Sequence, residues 1–343
     1  MGHAVDRVPS PPGWFVRPAD AADVDGLLAL AMAADDGMTN LPRDRTAMVA
    51  RLERSLKSFA TDVPKPADEL YILVLDDGSG QVAGTSCIVS RVGQAWPFYS
   101  FQRTRVVHDS RQLERRFCED LLQLNNQLGG VSEVGGLFLH PARRQPGAGR
   151  LLARSRYMLI GMAPHRFHDC VIAELRGWVD ATGQVPFWDA VGARFFHMTL
   201  GEADHYNAVH GNQFIADLMP KYPLYVSMLP PEAREAIGRV HRGSAPALHL
   251  LEQEGFAPND HVDIFDAGPI VACPASGLRA AREARTATLA DSDGQSVSVP
   301  TLIAAGPLDR FRCWATAAVI EDDVAAPIVG HTSPGETVIH APF

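Results

Sequence analysis

The apolar run from Val134 to Leu139 stops at His140-Pro141 and gives way to Arg144-Gln145-Pro146-Gly147-Ala148-Gly149. Apolar residues then recur at helical spacing from Leu151 to about Met162. A strand, a glycine-bearing turn and a helix in immediate succession confine the chain to an α/β architecture, because the strand must pair and the helix must cover it. Glycines at 147 and 149 let backbone approach a ligand without a Cβ in the way. The first-turn N–H groups of such a helix have no intrahelical acceptor, and the helix dipole adds positive potential there. Arg143, Arg144, Arg150 and Arg154 add charge on the same stretch. A pyrophosphate suits that turn, and a solvated turn with arginines on an outer face is the alternative. The fingerprint of a dinucleotide site needs a third glycine where Leu152 stands, and a P-loop needs Gly-Lys followed by Ser or Thr. Coenzyme A therefore ranks ahead of both.

The local basic feature works against the global charge. The 343 residues carry a formal net charge of −9, which argues against nucleic acid or an anionic membrane as partner. Five dispersed cysteines without a CxxC pair indicate neither a disulfide framework nor a zinc site. No metal is expected. The longest apolar stretch, Leu27 to Ala34, is far short of the ~20 residues of a membrane span. The first residues lack a signal-type apolar core, so a soluble, cytoplasmic protein is expected.

Along the chain, residues 1–13 read as a flexible leader. A strand at 14–16, helices at 20–34 and 43–59, and strands at 71–75 and 82–89 follow, the last two joined by Asp76-Asp77-Gly78-Ser79-Gly80. Further strands are expected at 170–175 and 262–265. Helices are expected at 186–196, 212–218, 231–237 and 247–254. From about 285, short β-prone runs at 297–305, 311–320, 327–330 and 337–340 suggest a small β-rich C-terminal subdomain. The expected division is leader 1–13, main domain 14–284 and subdomain 285–343.

The strand–turn–helix resembles motif A of the GCN5-related acyl-CoA N-acyltransferase fold, a mixed sheet flanked by helices. There the turn holds the coenzyme A pyrophosphate, and a bulge in the preceding strand frees an N–H for the thioester carbonyl. Gly135-Gly136 makes a bulge inexpensive. Longer strings are similar to the arginine N-succinyltransferase family: Phe15-Val16-Arg17-Pro18, Ala50-Arg51-Leu52-Glu53-Arg54-Ser55, Ala173-Glu174-Leu175-Arg176-Gly177, Pro186-Phe187-Trp188, Phe214 through Lys221 and Asp263-Ile264-Phe265-Asp266. They cover about 15 to 285.

This resemblance implies succinyl transfer from succinyl-CoA to the α-amine of L-arginine in arginine catabolism. Succinyl-CoA is a co-substrate, and no permanently bound cofactor is implied. Val240-His241-Arg242-Gly243-Ser244-Ala245-Pro246-Ala247 matches the family's proton-donor context, which carries that role to His241. A succinyl-CoA contact carries to Leu137, and the pyrophosphate contacts fall on Arg144, Gly147 and Gly149. Glu174 and Arg176 read as an ion pair or as substrate contacts. The acidic partner for a guanidinium stays open among Asp217, Asp263 and Asp266. Trp96, Phe98, Tyr99 and Phe101 read as core or subunit contact.

The chain departs from the family pattern at His140, at Arg143, at Gly135-Gly136 and around 209–213. Those departures bear on substrate identity more than on reaction class. Ornithine or another amine, another acyl-CoA, or a catalytically silent coenzyme-A-binding subunit are the rivals. A homo-oligomer or pairing with a paralogous subunit is the expected assembly.

Overall fold

The computed structural model describes residues 10–34, 40–291 and 297–343, the side chains of 204–205 and 208–210 excepted. The chain runs through β1 (Phe15–Pro18), α1 (Val24–Ala33), α2 (Arg45–Ala60), β2 (Leu70–Asp76), β3 (Val82–Val89), β4 (Ser100–Ser110), β5 (Arg115–Asn125) and β6 (Ser132–Leu139). It continues with α3 (Ala148–Met162), β7 (Cys170–Glu174), α4 (Pro186–Ala190), α5 (Gly192–Phe196), α6 (Leu200–His210), α7 (Gln213–Leu218), β8 (Leu224–Tyr225), α8 (Pro231–Ala236) and α9 (Ala245–Gln253). The last elements are β9 (Ala257–Val262), β10 (Pro269–Pro274), α10 (Arg279–Glu283), β11 (Arg285–Leu289), β12 (Val299–Ala305), β13 (Arg312–Glu321), β14 (Val324–Pro327) and β15 (Thr337–Pro342). The mixed α/β class expected from the sequence is the observed one. Of the expected leader, residues 1–9 lie outside the described residues, whereas the Ser10 hydroxyl is buried and donates to the Ala315 carbonyl at 2.9 Å.

Two compact units divide the chain. The first comprises the chain up to Ser90, Val134–Asp169 and Pro274–Phe343, so the C-terminal strands belong with the N-terminal ones and the division does not fall at 284. Every residue of β2 is buried, the pattern of a central strand covered on both faces. Leu70, Ile72 and Val74 pack with Leu27, Leu30, Met48 and Leu52 of α1 and α2. Across β3, Gly84 backs onto Leu152 of α3, where a Cβ would stand 3.0 Å from its Cδ2. Helix α3 is buried from Leu151 to Ile160. The C-terminal strands pair β12–β15–β11–β14–β13, and β13 pairs back with β12, so five strands close on themselves. Closure removes the exposed edges. Ala287, Ile303, Trp314, Ala318 and Val338 fill the interior. Strand β13 joins the larger sheet through β1, with Val16 opposite Cys313.

The second unit comprises Arg91–Glu133 and Cys170–Cys273. Ser132 and Glu133, which open β6, pair in parallel with Val171 and Ile172 of β7. Next to β7 come β10, β9, β4, β5 and β8 in that order. Phe101 of β4 and Phe187 and Trp188 of α4 anchor the core with Ile215, Ala233 and Ile264. Phe101 and Phe187 meet edge to face at 5.9 Å. Of the aromatic run, Phe101 is core and Trp96 is half exposed. The strand expected at 262–265 is replaced by two strands, β9 and β10, around a turn at 263–268. That turn forms because the Asp263 carboxylate accepts from the N–H groups of Phe265 (2.7 Å) and Asp266 (2.9 Å), and Ala267 takes a left-handed conformation.

Candidate active site

In the first unit, β6 carries Gly136 at φ +58°, a conformation that breaks regular strand geometry and that glycine adopts without strain. Leu137 follows, half-buried. The strand ends at His140, whose Nδ1 accepts from the Ala142 N–H at 3.2 Å and caps a short 3-10 turn, Pro141–Arg143. That is the task a carboxylate performs at such a position, so the histidine leaves the local geometry intact. Arg143 is held by Asp77 at 3.0 Å and donates to Gln81 at 2.5 Å.

Gly147 stands at the N-cap of α3 with φ +82°, and no side chain caps this end. The Leu151 N–H returns to the Gly147 carbonyl at 2.8 Å, which fixes the first turn. A Cβ built on Gly149 meets nothing within 4 Å. The Ala148 N–H turns back to the Gln145 carbonyl at 3.2 Å, and the space beside Gly149 stays open at the positive end of a 15-residue helix. The arginines divide differently from the sequence expectation. Arg154 is buried and donates to the Pro342 carbonyl at 2.5 Å. Arg150 stacks over the Phe343 ring at 4.9 Å, and Arg143 is neutralised by Asp77. Arg144 is thus the one exposed guanidinium of the four beside the helix start. Gly149→Val tests this opening. A valine fits the non-left-handed backbone there but fills the space above the N–H groups. It is expected to raise the KM for an acyl-CoA donor roughly tenfold while Tm stays within about 2 °C, read by steady-state kinetics and thermal unfolding.

In the second unit, β7 leads into Arg176-Gly177, which lies between two segments. On one side Gly177 bridges Val240, and the His241 N–H donates to the Arg176 carbonyl at 2.8 Å. On the other, the Asp266 carboxylate accepts from the N–H groups of Gly177 (2.6 Å) and Gly268 (2.7 Å). A Cβ at Gly177 would stand 2.4 Å from the Asp266 carbonyl, so only glycine fits. His241 caps a 3-10 turn, Arg242–Ser244, its Nδ1 accepting from the Gly243 N–H at 3.1 Å. Acceptance at Nδ1 sets the neutral tautomer with its proton on Nε2. Ser244 then stands at the N-cap of α9 with Pro246 in its first turn, as the sequence suggests.

Glu174 ends β7 and has Asp263, Glu133 and Asp266 as charged neighbours. Burial first, then Asp263, Glu133 and Asp266, pushes its carboxyl well above the usual carboxylate range. No ion pair of Glu174 with Arg176 forms among the described residues; the ion-pair reading gives way to a carboxylate cluster. Asp263, raised by burial and by Asp266, is pushed up to about 8. Of the three aspartates left open by the sequence, Asp263 and Asp266 join this cluster. Asp217 instead accepts from Gln213 at 3.0 Å on the exposed face of α7.

The raised Asp263 has a stability consequence. Its folded pKa lies above its unfolded value, so the fold holds the proton and loses stability as pH rises from about 4 through about 8. Asp263→Asn keeps an oxygen for the Phe265 and Asp266 N–H groups and removes the titration. Its Tm relative to the parent is expected to rise by about 3 °C or more between pH 5 and pH 9. A pH-independent difference would contradict the burial argument.

Burial pushes Cys170 and Cys313 up, away from the thiolate form, and Cys118 is exposed on β5. No cluster of His, Cys, Asp or Glu among the described residues suits a metal ion. No helix among them is long and apolar enough to cross a membrane.

Comparisons with known proteins bear on the family and the fold. The family profile described as arginine N-succinyltransferase beta subunit matches residues 14–280. The arginine N-succinyltransferase of Enterobacter sp. (strain 638) is 38% identical over 299 residues, 87% of each chain. That of Shigella flexneri serotype 5b is 38% identical over 291 residues, 84% of each. The solved structure of arginine/ornithine succinyltransferase subunit AI from Pseudomonas aeruginosa superposes with a TM-score of 0.85 at 30% identity, covering 96% of this chain and 99% of that one. With a profile match over most of its length and relatives at 38% identity, the chain belongs to the arginine N-succinyltransferase family of acyltransferases.

Proposed function

We propose that this chain transfers a succinyl group from succinyl-CoA to the α-amine of L-arginine, by direct attack with both substrates bound. The observation that carries the reading is the start of α3, which no side chain caps and where the space beside Gly149 is open. A diphosphate is the matching guest. Arg144 adds a cation to it, and Leu137 on β6 lines the pantetheine arm. A backbone N–H at the Gly135-Gly136 irregularity stabilises the oxyanion that forms when the amine attacks.

In the second unit, Glu174 takes the proton from the α-ammonium, since burial and its acidic neighbours raise the proton affinity of its carboxylate. The nitrogen attacks the thioester carbonyl, and the tetrahedral adduct expels the coenzyme A thiolate. The nitrogen's remaining extra proton passes to the departing sulfur, and His241 donates a hydrogen bond to that sulfur from Nε2. Asp263 and Asp266 hold the turn that places this segment.

Similarity to the Pseudomonas arginine/ornithine succinyltransferase subunit supports two extensions. Ornithine is the second amine to test, and association with a further subunit is the proposed assembly. The proposed compartment is the cytoplasm, where acyl-CoA donors are used. Thiol release measured over arginine, ornithine and other amines, each with succinyl-CoA and acetyl-CoA, tests the proposal. Arginine with succinyl-CoA is expected among the best pairs. A purified chain that binds succinyl-CoA but turns over no amine would instead be a silent subunit.

A further inference from the structure

A small cleft in the first unit is lined in part by Asn40, Arg51, Thr85, Ser86, Cys87 and Gly136. Its free volume is about 10 Å³, room for about one water-sized group. Arg51, on α2, brings a guanidinium to this lining, and its Nη2 is buried with no hydrogen-bond acceptor among the described residues. Arg54, one turn further along, is paired with Asp68 at 2.7 Å; Arg51 has no such partner there. A buried guanidinium nitrogen left unpaired is costly unless an anion completes it.

The other polar groups of the cleft fit that reading. The Thr85 hydroxyl already donates to the Leu73 carbonyl at 3.0 Å, and that of Ser86 points at the Leu152 carbonyl at 3.5 Å. Neither has a hydrogen to spare for an anion, so Arg51 and the Asn40 amide are the donors available. Gly136 also lines the cleft and presents bare backbone. A Cβ there would stand 3.1 Å from the Cys87 sulfur and would close the cleft. The same residue is the strand irregularity to which the thioester carbonyl is assigned above, so an acyl chain attached at that carbonyl has its far end at the cleft.

We propose that Arg51, assisted by Asn40, receives the distal carboxylate of the donor's acyl group, and so selects dicarboxylic acyl thioesters over plain ones of equal length. The assignment rests on the acyl-CoA reading given above and adds the source of donor selectivity. Arg51→Met keeps the apolar stem and removes the charge. With arginine as acceptor, its kcat/KM for succinyl-CoA is expected to fall roughly 10- to 200-fold. Its kcat/KM for butyryl-CoA, which lacks the carboxylate, should stay within about twofold, and the Kd of free coenzyme A should not move. Arg51→Lys, with the charge kept, should recover part of the preference and guards against a folding effect. Equal losses with both donors, or an unchanged succinyl-to-butyryl ratio, would overturn the assignment. If no amine is turned over, the same comparison is made by Kd. A parent preference for succinyl-CoA over butyryl-CoA that Arg51→Met abolishes sustains the carboxylate seat while the transfer reading fails. Equal parent affinities sink the seat as well.

Discussion

Alanine at position 241 is expected to lower kcat by about 10²–10⁴-fold at neutral pH, with a smaller change in KM for either substrate. His241 is placed by backbone contacts that the substitution leaves alone. Its N–H reaches the Arg176 carbonyl, and the neighbouring Gly177–Val240 bridge holds the strand end. What disappears is the Nε2 proton and the Nδ1 acceptor for the Gly243 N–H. The loss of that cap costs about 0.5–2 kcal/mol of stability, so a modest fall in Tm accompanies the kinetic effect. A donor role also predicts that donors with more acidic leaving thiols, which need no protonation, lose less to the substitution. An unchanged kcat with succinyl-CoA removes His241 from the chemistry.

The second large effect concerns Glu174→Gln, for which we expect kcat/KM for the amine to fall about 10²–10³-fold. The parent carboxyl is pushed up by burial and by three nearby acids. At low pH it is protonated and cannot accept from the ammonium, so the parent loses activity on the acid side. Glutamine cannot titrate, and the acid limb of the pH profile should flatten with it. The change also removes a like charge from beside Asp263 and Asp266, so stability is expected to hold or rise at pH 8. A profile whose acid limb survives the substitution would assign that limb to another group.

Much of the first unit is legible in the residue pattern, because its elements have one decisive face or none exposed. Strand β2 is apolar from Leu70 to Leu75 and is buried throughout. The turn before α3 can be read through Gly147 and Gly149, whose absent side chains are themselves the signal. The arginines near it mislead, since Arg150 and Arg154 look alike in sequence. Only packing sends Arg154 inward to Pro342 and lays Arg150 on Phe343. The β4–β5 hairpin leaves no such trace because residues 103–118 are mostly exposed on both faces, and a strand with no buried face carries no hydrophobic alternation.

The carboxylate cluster is half visible. Glu174, Asp263 and Asp266 each stand out, but ~90 residues separate them along the chain, and only strand pairing brings β7 beside β10. The start of the turn at 263–268 falls in the strand expected at 262–265, because Asp263 and Asp266 act through backbone N–H groups, a use that apolar periodicity does not record. The unpaired guanidinium of Arg51 has no sequence signature at all. What separates it from Arg54 is the lack, among the described residues, of an acidic partner in the fold.

The most direct test incubates the purified chain with L-arginine and succinyl-CoA and reads the products by tandem mass spectrometry. The expected product is arginine heavier by one succinyl group, carried on the α-nitrogen, with free coenzyme A released in equal amount. Succinyl on the guanidinium, or thioester consumed with arginine left unmodified, would contradict the proposed transfer.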